Sequence, residues 1–467
     1  MARRVVVIGG GIGGLTAGHA LATAPDPAQV TVVDAADRVG GKLRRELIGG
    51  SFVDVGAESV LNRSTETKAL VEAVGLSDRI THPTSTSSSI WSRGALVAMP
   101  KGTMMGVPAT REAVAEILSP DELAQIDVDA RPVPLTEDVP VAAGLGAQLG
   151  RGLVDRLVEP LLGGVYAGQV DELSLQASMP LMWQAATQGR GFVAAAREMQ
   201  PPPASTTGPN DAPAPFFFGL AGGIAQLPEA VGADLLARGH DVRTSTIVRD
   251  LRRTAEGTWE IVVGPTTAPE VITADAVVLA TPPPPTARLL AEIAPQAAAA
   301  LAEIRLASMA IITLVFDRAQ IGELPGSGFL VPAVDGRTIK ASTFSSGKWG
   351  WVDDADPERV WVRASIGRAG ESADLQRPDL DLVDIARCEL GQALGRDLPT
   401  PLDRHVQRWG GGLPQYTVGH VARIQRVRAA VAQVPDLELV GAAYDGVGIA
   451  AVVAGAGAAA ARLLAAH

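Results

Sequence analysis

Residues 3–35 read RRVVVIGGGIGGLTAGHALATAPDPAQVTVVDA, and this stretch decides the fold of the N-terminal region. Its residues 5–8 are an apolar, mostly β-branched run typical of a strand buried on both faces. Residues 9–14 match G-x-G-x-x-G, which permits a tight turn, close approach of the backbone to a pyrophosphate, and a helix N-terminus whose free N–H groups favour anions. A second strand, residues 30–33, ends at Asp34, where a carboxylate can bind a ribose diol. The stretch therefore predicts a strand–loop–helix–strand unit that binds a dinucleotide.

The residues of this unit that we expect to contact the dinucleotide are Gly9, Gly10, Gly11, Ile12, Gly13, Gly14, Asp34 and Ala35. No arginine directly follows Asp34, so nothing indicates a cofactor with a 2′-phosphate. A second glycine pair ends at Gly41, and its backbone could approach the same pyrophosphate, with Arg38 or Lys42 adding positive charge; a surface turn is the alternative. A secretory signal would need an apolar core, and the five glycines of residues 9–14 make a poor one.

Length and composition limit the classes of protein. A chain of 467 residues with 47% hydrophobic residues predicts two or three folded domains. The net charge of -11 argues against nucleic acid as a partner, because a nucleic-acid binder needs a basic surface. One cysteine, Cys388, excludes a disulfide framework and is expected to be buried as a small hydrophobic residue. The six histidines show no metal-binding spacing, so no metal is expected, and a reducing cytoplasm is the expected location.

Later segments extend the α/β pattern. Residues 89–98 predict a hairpin with a turn at Arg93 and Gly94, residues 100–199 have a mainly helical pattern, and residues 200–215 form a proline-rich loop. A buried strand at 275–280 stops at Thr281-Pro282, which predicts that the dinucleotide-binding domain resumes there. Near the C-terminus a strand, glycines and an alanine-rich helix form a second strand–loop–helix unit, whose helix N-terminus can face the other end of a long cofactor.

Together these features resemble the FAD-containing amine oxidase superfamily, and within it the oxygen-dependent porphyrinogen oxidases. The resemblance covers the whole chain and rests on eight short motifs in the right order: residues 56–59 (GAES), 99–102 (MPKG), 159–168 (EPLLGGVYAG), 173–174 (LS), 328–332 (GFLVP), 348–349 (KW), 414–420 (PQYTVGH) and 446–449 (GVGI).

The resemblance implies an α/β protein, α+β overall, with a p-hydroxybenzoate-hydroxylase-like architecture. It implies a Rossmann-like FAD-binding domain that is discontinuous in sequence, a sheet-containing substrate-binding domain, and a helical insertion that touches the bilayer in membrane-attached family members. The expected ranges are 1–61, 217–290 and 425–467 for the FAD-binding domain, 62–99 and 291–424 for the substrate-binding domain, and 100–205 for the insertion.

The resemblance adds FAD contacts at Gly56, Ala57, Glu58, Ser59, Val248, Trp409, Val447, Gly448 and Ile449. The family motif often continues into Pro-Asp-Cys-Ile, but residues 450–453 here are AAVV, so we expect noncovalent FAD. Serines 87–89 stand where some members hold a substrate propionate with a basic residue. The substrate-site candidates are instead Arg63, Lys101, Lys348 and Arg363, each with a structural or solvated cation as the alternative, together with Gly164 and Tyr166.

The implied activity is an FAD-dependent oxidation of coproporphyrinogen III to coproporphyrin III in haem biosynthesis, with O2 as acceptor and H2O2 as product. No side-chain base is assigned. The insertion is interrupted by charged residues and Arg greatly outnumbers Lys, which favours the Gram-positive bacterial branch that acts on coproporphyrinogen. Oxidation of protoporphyrinogen IX is the main alternative; a flavin amine oxidase, a desaturase and a non-catalytic flavin-binding protein are others. Weak peripheral membrane contact, transfer of product to a downstream chelatase, and a monomeric or homodimeric state stay open.

Overall fold

The computed structural model describes residues 2–200 and 215–465. The predicted proline-rich loop, residues 200–215, therefore lies outside the described residues apart from Gln200 and Pro215.

The strands of this part of the chain are β1 (Arg4–Ile8), β2 (Gln29–Val33), β3 (Arg45–Ile48), β4 (Ser51–Asp54), β5 (Val60–Leu61), β6 (Ile80–Thr81), β7 (Ser89–Ser92), β8 (Ala95–Ala98), β9 (Thr103–Met104), β10 (Val107–Pro108), β11 (Phe217–Leu220), β12 (Asp241–Arg243), β13 (Val248–Arg253), β14 (Trp259–Val263), β15 (Glu270–Ala274), β16 (Ala276–Leu279), β17 (Leu306–Asp317), β18 (Gly328–Leu330), β19 (Ile339–Phe344), β20 (Arg359–Ile366), β21 (Asp403–Pro414) and β22 (Leu437–Leu439).

The α-helices are α1 (Ile12–Ala22), α2 (Thr65–Ala73), α3 (Pro120–Ala124), α4 (Val141–Leu149), α5 (Arg151–Leu153), α6 (Glu159–Tyr166), α7 (Leu175–Ser178), α8 (Pro180–Thr187), α9 (Phe192–Glu198), α10 (Gln226–Ala237), α11 (Pro283–Leu290), α12 (Pro295–Ala302), α13 (Arg318–Ile321), α14 (Ser345–Lys348), α15 (Gly350–Ala355), α16 (Asp379–Leu394), α17 (His420–Val431) and α18 (Ile449–Ala465).

A five-stranded parallel sheet, with strand order β12-β2-β1-β16-β22, contains the N-terminal unit. Successive side chains of β1 alternate between two cores: Val5 and Val7 pack with α1, α10 and α18, whereas Val6 and Ile8 pack with the β13–β15 sheet and α12. Burial on both faces explains why the strand is an unbroken apolar run. The predicted α/β fold with a Rossmann-type sheet is confirmed.

Strands from three distant parts of the chain pair in this sheet. β1 and β2 come from the first predicted FAD-binding segment, β12 and β16 from the second, and β22 from the third. The sheet is thus discontinuous in sequence; the exact domain boundaries stay predictions.

A second, seven-stranded sheet has the order β21-β17-β20-β19-β18-β7-β8 and is mostly antiparallel. Its β7–β8 hairpin turns at Arg93 and Gly94, both with positive φ (52° and 81°), as predicted. Helix α16 covers one face of this sheet through an apolar core that includes Phe344 and Leu382. Part of the sheet also borders the central cavity described below.

The region between the β8 strand and residue 200 is mainly helical, and its helices share one apolar core. It also contains the short β9–β10 hairpin, which the helical pattern did not predict. Within residues 2–200 and 215–465, no helix combines the length and the apolar character needed to span a bilayer.

The prediction that Cys388 is buried is wrong, because its side chain is exposed on α16. This helix turns Ala386 and Leu390 towards the sheet. Cys388 lies two residues from each of them, on the opposite side of a helix with 3.6 residues per turn.

Candidate active site

A cavity of about 780 Å³ is bounded by both sheets. Residues from the N-terminal glycine loop, the end of β16, the seven-stranded sheet and the C-terminal glycine segment all line it. The predicted cofactor-binding residues in its lining are Gly9, Gly11, Ile12, Gly13, Asp34, Ala35, Gly41, Lys42, Gly56, Ala57, Glu58, Val248, Trp409, Val447 and Ile449. The fold thus brings together most of a set scattered over more than four hundred positions of sequence.

Glycines of the loop are required for two different reasons. A Cβ on Gly14 would lie 1.9 Å from the carbonyl oxygen of Gly9, so a side chain there is incompatible with the turn. Gly9 has φ +116° and approaches the Ala280 carbonyl oxygen, which a Cβ would meet at 2.7 Å. Gly11 is different: a Cβ there would have only the Gly41 Cα within 4 Å, at 3.9 Å. The space beside Gly11 is open and belongs to the cavity.

Asp34 stands at the carboxyl end of β2, where the parallel sheet meets the cavity. Its Oδ2 accepts the N–H of Gly10 at 2.6 Å, and its Oδ1 accepts the N–H of Ala36 at 2.7 Å. These bonds orient the carboxylate and leave lone pairs on both oxygens for a diol. The carboxylate therefore ties the glycine loop to the strand that follows it.

The C-terminal segment closes the cavity beside the glycine loop. Val447 and Ile449 line the cavity at the start of α18, and a Cβ on Gly13 would lie 2.9 Å from Val452 of that helix. Gly446 adopts φ +122°, which favours glycine. The two strand–loop–helix units of the sequence thus meet at one site, with the N-terminal turns of α1 and α18 side by side.

Several predicted cofactor residues do not line the cavity: Gly10, Gly14, Arg38, Ser59 and Gly448. Arg38 instead donates to the carbonyl oxygens of Val39 and Gly41, both at 2.9 Å, so it holds its own loop in shape. Its positive charge is used within the loop rather than presented to the cavity.

An ion triad joins the Gly56–Ser59 turn to the seven-stranded sheet. The carboxylate of Glu58 accepts hydrogen bonds from Lys348 through Oε1 and from Arg363 through Oε2. Arg363 also donates to the Gly56 carbonyl oxygen at 2.7 Å. Burial alone would raise the pKa of Glu58, but Lys348 and Arg363 outweigh it and hold that pKa at about 2. The Glu58 carboxylate is therefore an anchor for two cations and a poor proton acceptor near neutral pH.

This triad limits which of the predicted substrate-binding cations are available to a ligand in the cavity. Arg363 lines the cavity, but two of its nitrogens are engaged with Glu58 and Gly56; Lys348 does not line the cavity. Arg63 and Lys101 are exposed and lie outside the lining. The sequence-based candidates thus leave no uncommitted cation at the cavity wall.

Of the other candidates, Gly164 lines the cavity and Tyr166 does not. The ring of Tyr166 packs against that of Tyr416 with centroids 5.3 Å apart. The indole N–H of Trp409 donates to the Val55 carbonyl oxygen at 2.9 Å. This bond links the segment just before the Gly56–Ser59 turn to β21 of the seven-stranded sheet.

Two kinds of lining residue that sequence reasoning missed bear on the substrate side of the cavity. One kind is the apolar wall supplied by the substrate sheet, including Met309, Ile311 and Leu330, because nothing separates such residues from ordinary core positions. The other is Lys340 of β19, whose only sequence signal is that it is one of few lysines and interrupts a strand pattern.

The lining residues fit an FAD. The open space beside Gly11 would be filled by a side chain, the Asp34 carboxylate can accept a diol, and Lys42 is a cation at the same end of the cavity. Burial lowers the pKa of Lys42. This fits an amine whose anionic partner is a bound ligand.

Residues 12–464 match the flavin containing amine oxidoreductase family, and the chain belongs to that family. It is accordingly an FAD-dependent oxidoreductase. Coproporphyrinogen III oxidase of Mycobacterium tuberculosis is 35% identical to it over 470 residues, covering 97% of this chain and 96% of the relative. Protoporphyrinogen oxidase of Macaca fascicularis is 27% identical, covering 96% of each chain. A crystal structure from Exiguobacterium sp., provisionally assigned as a protoporphyrinogen oxidase, superposes with a TM-score of 0.85 at 30% identity over the full length of both chains.

The glycine loop provides a first test. We expect Gly11→Val to fold and to bind FAD roughly 10- to 100-fold more weakly, since its side chain would fill the cofactor's space. The measurement is flavin absorbance per protein after purification, with circular dichroism to verify folding. Gly457→Val in α18 is the matched control, because no atom lies within 4 Å of its Cβ position and it does not line the cavity. Equal flavin content in the two variants would contradict the loop assignment.

The Glu58 triad provides a second test. The folded-state pKa of Glu58 is about 2, below the ordinary glutamate value of 4.5, so its stabilising contribution is present above pH 4.5 and is lost as the pH falls towards 2. We expect Glu58→Gln to lower the free energy of unfolding at pH 7 by about 3–5 kcal/mol, since the buried Arg363 and the partly buried Lys348 lose their partner. Chemical denaturation between pH 2 and pH 7 measures both effects. Other carboxylates with lowered pKa values, such as Glu122, titrate in both proteins, so the loss of stability across the acid range should be about 3 kcal/mol smaller in the variant than in wild type.

Glu229→Gln is the control for that experiment. Glu229 pairs with Arg45 at the surface, where its side chain is 46% exposed, so this change should cost about 1 kcal/mol or less. Similar losses of unfolding free energy in the two variants would show that the Glu58 triad does not stabilise the contact between the Gly56–Ser59 turn and the seven-stranded sheet.

Proposed function

We propose that the protein oxidises coproporphyrinogen III to coproporphyrin III, with O2 as electron acceptor and H2O2 as product. The observation that carries this proposal is a single cavity that joins the dinucleotide-binding loop to an apolar wall of the seven-stranded sheet. The M. tuberculosis relative, named coproporphyrinogen III oxidase, supports the substrate because the similarity extends over nearly all of both chains.

In this proposal each part of the chain has a distinct task. Bound FAD supplies the capacity to accept electron pairs from carbon and to pass them to O2. Met309, Ile311 and Leu330 offer an apolar surface for the tetrapyrrole and exclude water from one side. The Gly56–Ser59 turn is anchored by Glu58, so the part of its backbone that lines the cavity has a fixed position.

The described lining offers no carboxylate that is an evident general base. Its carboxylates are Asp34, bound to two backbone N–H groups, and Glu58, whose pKa is held near 2 by its two cations against the effect of burial. Pyrrole N–H protons are therefore expected to pass to solvent or to the cofactor rather than to a carboxylate of the wall.

We also infer the division of labour along the chain. Residues 1–61, 217–290 and 425–467 would hold FAD, residues 62–99 and 291–424 would bind substrate, and residues 100–205 would form the insertion. The pairing of β1, β12, β16 and β22 in one sheet supports the first of these groups. FAD would contact the lining residues named above, from Gly9 to Ile449.

Oxidation of protoporphyrinogen IX is the second candidate. The M. fascicularis relative carries that name, and its similarity also covers 96% of each chain. Its identity of 27%, against 35% for the mycobacterial relative, favours coproporphyrinogen.

The substrate assignment is tested by aerobic incubation of the flavin-containing protein with each porphyrinogen. We expect porphyrin fluorescence to rise faster with coproporphyrinogen III, with about three O2 consumed per porphyrin formed, because six electrons leave in pairs. A higher kcat/KM for protoporphyrinogen IX would favour the second candidate. Oxidation of amines with neither porphyrinogen turned over would overturn both.

FAD attachment is tested by acid precipitation. We expect all of the flavin to remain in the supernatant, because residues 450–453 read AAVV and the chain's one cysteine, Cys388, is exposed on α16 outside the cavity lining. Flavin absorbance in the supernatant and the washed pellet measures the outcome. Flavin retained in the pellet would show a covalent link.

A further inference from the structure

Lys340 is placed at the cavity by an irregularity in the sheet. In the pairing of β19 with β20, Ile339 lies opposite Ile366 and Ala341 lies opposite Ser365, so Lys340 is an extra residue without a partner on β20. An extra residue of this kind is a β-bulge, which turns a side chain away from the regular alternation and is frequent near active sites. Lys340 and Ala341 both line the cavity, whereas Ile339 packs into the core under α16.

The amine of Lys340 lacks a hydrogen-bond partner. Its side chain is almost wholly buried, with 5% of the residue exposed, and Nζ makes no hydrogen bond to any described residue. A buried ammonium without a partner is costly, because three donors lose water and gain nothing. Accordingly, burial lowers the pKa of Lys340 to about 7, with the nearby Arg368 acting in the same direction.

Charges around Lys340 leave a positive excess. The groups that act on it are Arg368, Glu159 and Glu371. Glu159 is buried, lies 3.7 Å from Arg368 Nε and accepts the Ala333 N–H at 3.0 Å, while Glu371 is 56% exposed and screened by solvent. With Lys340 protonated, the buried members of this group are two cations and one carboxylate. That carboxylate lies beside Arg368 and makes no hydrogen bond to Lys340 Nζ, so the amine can accept one more anion.

The arginines of the described cavity lining are already bound by protein groups. Arg363 donates to Glu58 and to the Gly56 carbonyl oxygen, which leaves only its Nε without a partner, and Arg288 donates to the Val248 carbonyl oxygen at 2.9 Å. Lys42 follows Gly41, whose Cα faces Gly11 of the cofactor loop. Within the described lining, Lys340 is the cation of the seven-stranded sheet that has no protein partner.

We propose that Lys340 binds a carboxylate of the substrate at the sheet wall of the cavity. This inference rests on the proposed function, since coproporphyrinogen III is a tetracarboxylate. The flexible side chain of Lys340 allows Nζ to contact a carboxylate that enters the cavity. The carboxylate then supplies the hydrogen-bond acceptor that no described residue provides. Binding of the carboxylate is coupled to uptake of a proton by the amine at neutral and higher pH.

The test uses flavin-containing protein and two stable probes, coproporphyrin III and its uncharged tetramethyl ester, in fluorescence titrations at pH 7. Lys340→Met keeps a similar side-chain length and removes the charge. We expect this variant to bind the acid about 10- to 100-fold more weakly and the ester as tightly as wild type does. Lys68→Met is the matched control, because Lys68 lies on α2 over the Phe218 ring, outside the cavity lining, and both probes should bind it normally.

A pH series adds a readout that a packing role would not change. The ammonium form of Lys340 binds the anion, and in the protein without ligand the pKa of this group is about 7. Wild-type affinity for coproporphyrin III should therefore be constant below pH 7 and fall up to tenfold per pH unit above it. This fall should be absent in Lys340→Met. Burial also raises the pKa of Glu159, which is present in both proteins, so only the part of the pH profile that disappears in Lys340→Met is assigned to the lysine.

The outcomes separate this inference from the proposed function. If wild type oxidises coproporphyrinogen III and Lys340→Met binds the acid equally tightly with an unchanged pH profile, the carboxylate role is overturned while the proposed function stands. If wild type neither oxidises coproporphyrinogen III nor binds coproporphyrin III, the proposed function fails first. Flavin content and Tm verify folding, and loss of affinity for both probes would indicate a structural role and overturn the proposal.

Discussion

Close contact between backbone atoms at the glycine loop is the constraint on which the rest of the structure depends. Gly14 packs directly on the Gly9 carbonyl, Gly9 on Ala280, and Gly13 against Val452, with no room for a side chain at any of the three glycines. These contacts draw the end of β16 and the start of α18 against the first turn of the chain. Because the same turn leaves the space at Gly11 open, tight packing on one side of the loop creates a cofactor-sized opening on the other.

The second constraint is electrostatic and joins the Gly56–Ser59 turn to the seven-stranded sheet. Glu58 is the shared partner of the buried Arg363 and the partly buried Lys348, and in this way it fastens the Gly56–Ser59 turn to β20 and α14. A lysine or arginine used in this way cannot also hold a substrate carboxylate with its full set of donors. Lys340 differs because no residue in the described part of the chain accepts a hydrogen bond from its amine, which is the physical basis for assigning that partner to the substrate.

Much of the fold follows from local sequence. The β1–α1–β2 unit and the β7–β8 hairpin were predicted because each is encoded by apolar runs and a glycine-containing turn that are adjacent in sequence. The short β9–β10 hairpin and the exposure of Cys388 were not predicted. A two-residue strand is too short for a period to show, and the buried side of α16 depends on which face meets the sheet.

For the site, local patterns determined the glycine loop, Asp34 and the presence of a second glycine segment near the C-terminus, since each has a characteristic spacing. Only the tertiary structure decided which cations are free. Lys348 and Arg363 are both paired with Glu58, about three hundred residues away in sequence, whereas Lys340 owes its position to one extra residue in a strand pairing. Charge compensation and strand register are long-range relations between segments, so one segment read alone does not contain them.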